Sequence, residues 1–258
     1  MAYPLTPLLA AAAYGCYFAY TGGRRLKPLF HILSNDPLPV RKLHEHRGPV
    51  EIEGRAVEGD GGTVEAPFTG TECLAYSYEV EQERDTVHNR KEWDTLDTGL
   101  EGGEFIVDDG TGRVVVDPDG ADIHAEAYTE TVYAGDEPPE PLAECIADND
   151  AVEPQGAPLA LEGGELTSGW DQRFTEHRID VDDSVYVYGQ SRRDTSAEWG
   201  ESRVDALVAD GDATPVFVIS DTDERGAAWR VARDPLRRTG LGLGLLTFVV
   251  ALTLAWPI

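Results

Sequence analysis

The chain has 258 residues, 48 acidic against 21 basic, a formal net charge of -27 and 41% apolar side chains. With five Trp, ten Tyr and seven Phe it holds enough apolar bulk for a packed core, which excludes a wholly disordered polymer. Three cysteines without a CxxC spacing exclude a disulfide scaffold and a four-ligand zinc finger or RING among these residues.

The charges are unevenly spread. Residues 1–23 and 239–258 carry none, and each of these ends borders a basic stretch. Arg24, Arg25, Lys27, Arg41, Lys42 and Arg47 outweigh Asp36 and Glu45 in the first, and Arg233, Arg237 and Arg238 outweigh Asp234 in the second. The acid excess therefore falls on residues 48–232. Only three of the basic residues are Lys. That balance suits multi-molar salt, where the Debye length is about 3 Å or less and self-repulsion costs little.

In chain order, residues 1–23 read as a first transmembrane helix, with a 17-residue apolar run at positions 4–20. At about 1.5 Å per residue this is near the short limit for a hydrocarbon layer roughly 30 Å thick. Its positive charges follow the apolar run rather than precede it, which favours an uncleaved anchor over a secretory signal. Residues 24–47 form a basic juxtamembrane segment. Residues 48–232 form the acidic body, and residues 233–258 a second basic collar and a second transmembrane helix ending at Trp256, an interfacial residue type. Both collars border the body, so the positive-inside tendency places it in the cytoplasm of a two-span protein of the cell membrane. Small residues at helix-packing spacing, Gly15 with Ala19 and Gly240 with Gly244, suggest that the two helices pair.

The body reads as mainly β. Val50 and Ile52 alternate with acids, residues 73–83 alternate again, and Phe105-Ile106-Val107 joins Val114-Val115-Val116 through a tight Asp-Gly turn at Asp108–Gly112. Later strands fall at 184–189 and 215–220. Short strands with Gly and Asp turns predict an antiparallel OB-like small barrel or sandwich. The strands at 48–54 and 182–189 look like copies of one unit. Residues 134–169, rich in Pro, Gly and acids, interrupt the pattern as an acidic insertion with a short helix near Leu142.

The order of motifs resembles the GIDE family, also called the BAM or "beside a membrane" domain, found in Mulan-type mitochondrial ubiquitin ligases. The matching pieces are the Gly48–Gly54 strand, the segment holding Pro67, Phe68, Gly70 and Cys73, and the Tyr76-x-Tyr78-x-Val80 strand. Trp93 follows, then the hairpin with Asp109, Gly112, Asp117 and Pro118, the strand ending at Gly189, and the pair Ser220-Asp221. The resemblance implies a β-rich body between two membrane helices, and these positions mark its fold without being catalytic. It also implies ubiquitin transfer for members that carry a RING finger, whose paired zinc ligands this sequence lacks.

Other chemistry is thinly supported. His44-Glu45-His46 has no third metal ligand nearby, Asp108 and Asp109 are explained by their turn, and Cys73 sits beside Glu72 in an alternating strand, a poor setting for a nucleophile. Neither a Gly-rich phosphate loop nor a Gly-x-Ser-x-Gly elbow is present. The acidic body opposes nucleic-acid binding. The expectation is therefore no catalytic residue, no metal or zinc and no cofactor. Membrane lipids and a protein partner or a second copy of the chain are the expected contacts. An enzyme with an unrecognised site, or ubiquitin transfer with a separate partner, are the alternatives.

Overall fold

The computed structural model describes residues 5–25, 37–85, 91–149, 151–152, 159–161, 164–166, 170–194, 203–221 and 224–255. They fall into two units, a helical one (Met1–Asp36 with Glu224–Ile258) and a body (Pro37–Asp223).

The body opens with a 3-10 turn, Val40–Glu45, and is mainly β. Five of its strands close into a small barrel: β1 (Gly48–Val57), β6 (Phe105–Asp108), β7 (Arg113–Val116), β13 (Ser184–Arg192) and β14 (Arg203–Ala209). The ring runs β1-β6-β7-β14-β13 and returns to β1 through eight paired residues, from Gly48 opposite Ser191 to Arg55 opposite Ser184. The two sequence segments that look alike are thus barrel neighbours. The expectation of an antiparallel barrel needs one correction: β7 and β14 run parallel, with Val115 beside Leu207. That pairing joins residues far apart in the chain and leaves no local pattern to read.

Alternation explains the barrel's interior. Val50, Ile52, Val107, Val114, Val116, Val185, Val187 and Val208 are all buried in one cluster with Phe105, Phe217 and Ile219. Full burial of such a side chain stabilises by about 1.5–3 kcal/mol. Val40 and Leu43 of the 3-10 turn join the same cluster, fully buried. The turn is fastened there by Asp109, whose carboxylate accepts the Val40 N–H at 2.9 Å while also accepting those of Thr111 and Gly112 within its own turn. Gly189 permits a close approach in β13, since a Cβ there would lie 2.8 Å from Val208 and 2.9 Å from the Phe217 ring.

A second sheet is built from the two long excursions between barrel strands. The first supplies β2 (Val64–Glu65), β3 (Glu72–Cys73), β4 (Ala75–Asp85) and β5 (Lys91–Gly102). The second supplies β8 (Asp122–His124), β9 (Ala127–Val132), the short helix α2 (Leu142–Asp148), a hairpin of β10 (Leu159–Leu161) and β11 (Gly164–Leu166), and β12 (Gln172–Ile179). Four of these strands form an antiparallel sheet in the order β5-β4-β12-β9. Its core holds Phe68, Val80, Val132 and Phe174 with Leu142, Ile146 and Val152, so part of the Pro- and acid-rich segment packs inward. The strand expected at 215–220 shortens to β15 (Val218–Ser220), which pairs with β13 and runs parallel to β8.

In the helical unit, α1 (Leu5–Arg25) packs antiparallel on α3 (Glu224–Ala255): Gly15 lies against Leu246 and Gly22 against Thr239. A Cβ on Gly242 would fall 2.4 Å from the Ala19 nitrogen, so this glycine, not Gly240 or Gly244, lets the helices touch. Gly240 and Gly244 face open space. The expectation of two spans is also corrected. Among the described residues one stretch, Pro235–Thr253, is long and apolar enough to cross a membrane. In α1 the apolar run is diluted by Tyr14, Tyr17, Tyr20, Thr6 and Thr21, and it ends in Arg24 and Arg25.

Candidate functional site

The positions singled out by motif do not converge on one site. Asp109 and Gly112 belong to the barrel turn at Asp108–Gly112. Asp117 accepts the Asp119 N–H at 3.2 Å and lies 3.6 Å from Arg192, while the Pro118 carbonyl accepts the Ala121 N–H. Ser220 donates to the His124 carbonyl at 2.9 Å, and Asp221 accepts the Glu126 N–H at 2.7 Å. His44 and His46 make ring-nitrogen hydrogen bonds with the carbonyls of Arg41 and Pro49.

Pro67, Phe68, Gly70, Cys73 and Tyr76 do gather, around the second sheet. Residues 66–70 form a tight turn in which the Gly70 N–H donates to the Ala66 carbonyl, with Gly70 at φ +63. The turn drives Phe68 between Phe174 and Tyr78, edge-to-face at centroid distances of 5.4 and 5.5 Å. Its backbone is held from β12 by Glu176, a fully buried carboxylate. Glu176 accepts the Phe68 N–H at 2.9 Å, the Thr69 hydroxyl at 2.8 Å and the Arg178 guanidinium at 3.1 Å. Arg178 also donates to Thr69 and reaches Asp180 at 3.3 Å. A buried charge persists only when its lone pairs are occupied in this way.

Beside this turn lies a cleft of about 630 Å³, walled by Pro67, Tyr76, Tyr78, Pro141 and Cys145 and edged by Glu65, Asp97, Glu101, Glu144 and Asp148. Tyr76 donates to Glu101 at 2.7 Å and Tyr78 to Asp97 at 3.0 Å. Asn149 donates to Asp97 as well, and that hydrogen bond holds the Asp97 carboxyl below the usual carboxylate range. Burial, then the hydrogen bond to Asp97, pushes the Tyr78 hydroxyl up to about 12, and burial pushes Tyr76 and Cys145 up too. Cys73 is buried behind them, its thiol donating to the Val64 carbonyl and pushed up to about 12 by burial and by Asp180 and Glu176. These hydroxyls and thiols keep their protons near neutral pH, so the wall offers hydrogen bonds, ring faces and carboxylates to a bound group.

A second cleft, about 450 Å³, opens where β9 begins and shares Glu176 and Arg178 with the buried network. Sequence reasoning did not single out Glu176 or Arg178. Among 48 acids nothing local separates one carboxylate from another; the signal is Glu176 and Arg178 two apart in a strand, and it becomes meaningful only once that face is known to be buried.

Among the described residues no group of three or more His, Cys, Asp and Glu is arranged to hold a metal ion. Comparison with protein-family models, with curated proteins and with solved structures finds no match to the chain.

Proposed function

We propose that the chain is an integral protein of the cell membrane whose acidic body, displayed on the cytoplasmic side, docks another protein. The observation that carries this reading is the helical unit. An apolar helix able to cross a membrane packs antiparallel, through Gly15, Gly22 and Gly242, on a second helix at the other end of the chain. Close backbone approach at small residues is what pairs helices in lipid. A body joined by sequence to both helices, with basic collars for anionic headgroups at each junction, is held at the bilayer surface.

The body supports the same reading. Renumbered along the chain, its barrel strands run 1-2-3-5-4 and close on 1, with 3 and 5 parallel, an order of the OB type. OB-type barrels present surfaces to ligands, and here the acid excess selects a partner other than nucleic acid. From the GIDE resemblance the reading takes the membrane-side module; no described residue is assigned to ubiquitin transfer, to a cofactor or to a metal.

The test is membrane extraction combined with affinity capture from cells grown at high salt. Retention in membranes after alkaline carbonate washing, labelling of a Glu58→Cys variant by an impermeant maleimide only after membrane opening, and co-purification of a protein at near-equal stoichiometry are the expected results. Release by carbonate would overturn membrane integration, and labelling in sealed cells would overturn the orientation.

A further inference from the structure

The four-stranded sheet of the body ends in two edges that differ. β5 carries Lys91, Glu92, Asp94, Asp97 and Glu101 along its length, and the ladder behind it is bulged between Val80 and Glu81. Charge and irregularity of this kind prevent another strand from adding. β9 has the sequence AYTETV, with Glu130 its one charge and no Pro or Lys. It pairs with β12 on one side, in an unbroken ladder from Ala127 opposite His177 to Val132 opposite Gln172. On the other side its N–H and C=O groups have no partner among the described residues. Ala127, Tyr128 and Thr129 are exposed. An unprotected row of donors and acceptors is a template for one more strand.

A pocket adjoins this edge. Ala127 and Tyr128 belong both to β9 and to the wall of the 450 Å³ cleft, whose other polar lining is Glu126, Glu176, Arg178, Asp180, Asp183, Ser184 and Asp221. Even leaving Asp221 aside, Glu126, Glu176, Asp180 and Asp183 outnumber the one guanidinium of this lining, which is already held by Glu176 and Asp180. The surplus is anionic and short-range, and at a partly buried site salt screens it less than it screens the open surface. Strand addition draws affinity from main-chain hydrogen bonds and selectivity from pockets that take individual side chains.

We propose that the open edge of β9 accepts an extended segment of a partner protein as a fifth strand of this sheet, with one Lys or Arg of that segment seated in the carboxylate pocket at the start of β9. The inference rests on the protein-docking reading above and gives it a site and a partner chemistry. A second copy of this chain is disfavoured as occupant, because β9 offers no cation of its own to the pocket.

The experiment uses the full chain in detergent micelles and a pool of capped, fluorescent decapeptides with one Arg or Lys and otherwise Val, Ile, Thr and Ser. Saturable binding is expected, weakened at least tenfold when the cation is replaced by Glu. Methylating alternate peptide nitrogens is expected to weaken it at least tenfold in one of the two alternating registers and little in the other. The variant Glu126→Lys, checked for an unchanged melting profile, is expected to bind at least tenfold more weakly. Binding by no peptide of the pool, indifference to methylation in both registers, or indifference to Glu126→Lys would each overturn the inference. So would a crosslink from β9 to a second copy of the chain. A partner captured in membranes through another face of the body would overturn this site and leave the docking reading standing, whereas capture of nothing from any face would overturn the reading itself.

Discussion

The barrel and the inserted sheet lie in one body but are held by different physics. The barrel interior is apolar: Val, Ile and Phe from five strands, plugged by Val40 and Leu43. Its polar fastenings, such as Asp109 on the Val40 N–H, sit at the turns. The sheet has a smaller, aromatic core around Phe68 and Phe174, and beside it a buried carboxylate, Glu176, which ties the 66–70 turn to β12. The barrel also buries a carboxylate, Glu51 between Val50 and Ile52 in β1, but its core cluster is apolar, while the sheet uses Glu176 to fix a turn brought from elsewhere in the chain. The sheet also carries both clefts and the open edge. The sheet thus combines a buried carboxylate that organises a turn with surface left for a partner.

Substitutions can break or sharpen this contrast. The largest loss is expected from Phe105→Ala in the fully buried barrel core, about 3–5 kcal/mol from lost burial and a residual cavity. Urea denaturation of the protein in micelles should show an earlier midpoint for the whole body. Next, Glu176→Ala removes the acceptor of the Phe68 N–H and leaves Arg178 without its buried partner, at a cost of about 3 kcal/mol. Its loss should fall on the sheet, detected as faster amide exchange in β12 and β9 than in β1 and β13. Equal exchange in all four strands would erase the distinction between the two regions.

Asp109→Ala should cost about 2 kcal/mol, the value of a hydrogen-bonded charge at a turn. Burial pushes the Asp109 carboxyl up, but the N–H groups of Val40, Thr111 and Gly112 and the Thr111 hydroxyl outweigh it and hold the pKa below the usual carboxylate range. The folded pKa is depressed, so the contribution is fully present above the ordinary value of about 3.9 and is lost as pH falls through the folded one. The gap in midpoint between wild type and Asp109→Ala should therefore be constant from about pH 5 upward and shrink below about pH 4. The smallest effect concerns Cys73. Buried and with its thiol raised to about 12, it should react with iodoacetamide at about pH 8 only at the rate at which the body unfolds. Labelling in the folded protein would show that the sheet opens on its own.

Much of the barrel was legible in the sequence because its strands are rich in Val, Ile and aromatic residues and its hairpin announces itself through Asp108–Gly112. Closure was not, since no strand is read at β14 and its pairing with β7 is parallel, joining Val115 to Leu207 across the whole second excursion. The second sheet escaped notice as a sheet because β4 and β5 carry charges on both faces and the chain visits it twice. Of the candidate site, the Pro67–Cys73 motif marked the right neighbourhood. Its reason, a backbone N–H delivered to Glu176 from more than a hundred residues away, is a property of the fold and leaves no local trace. The helix contact was visible as small residues, but which α3 glycine meets α1 depends on the rotation of the helix, and Gly242 rather than Gly240 or Gly244 faces it.

The most direct test of the docking account is site-specific photocrosslinking in intact membranes at multi-molar salt, with the photoreactive residue at Thr129 on the open edge of β9 and, separately, at Glu92 on the guarded edge of β5. The account predicts a membrane-bound adduct between this chain and a different polypeptide from Thr129, and none from Glu92. Adducts of equal yield from both positions, or from neither, would contradict it.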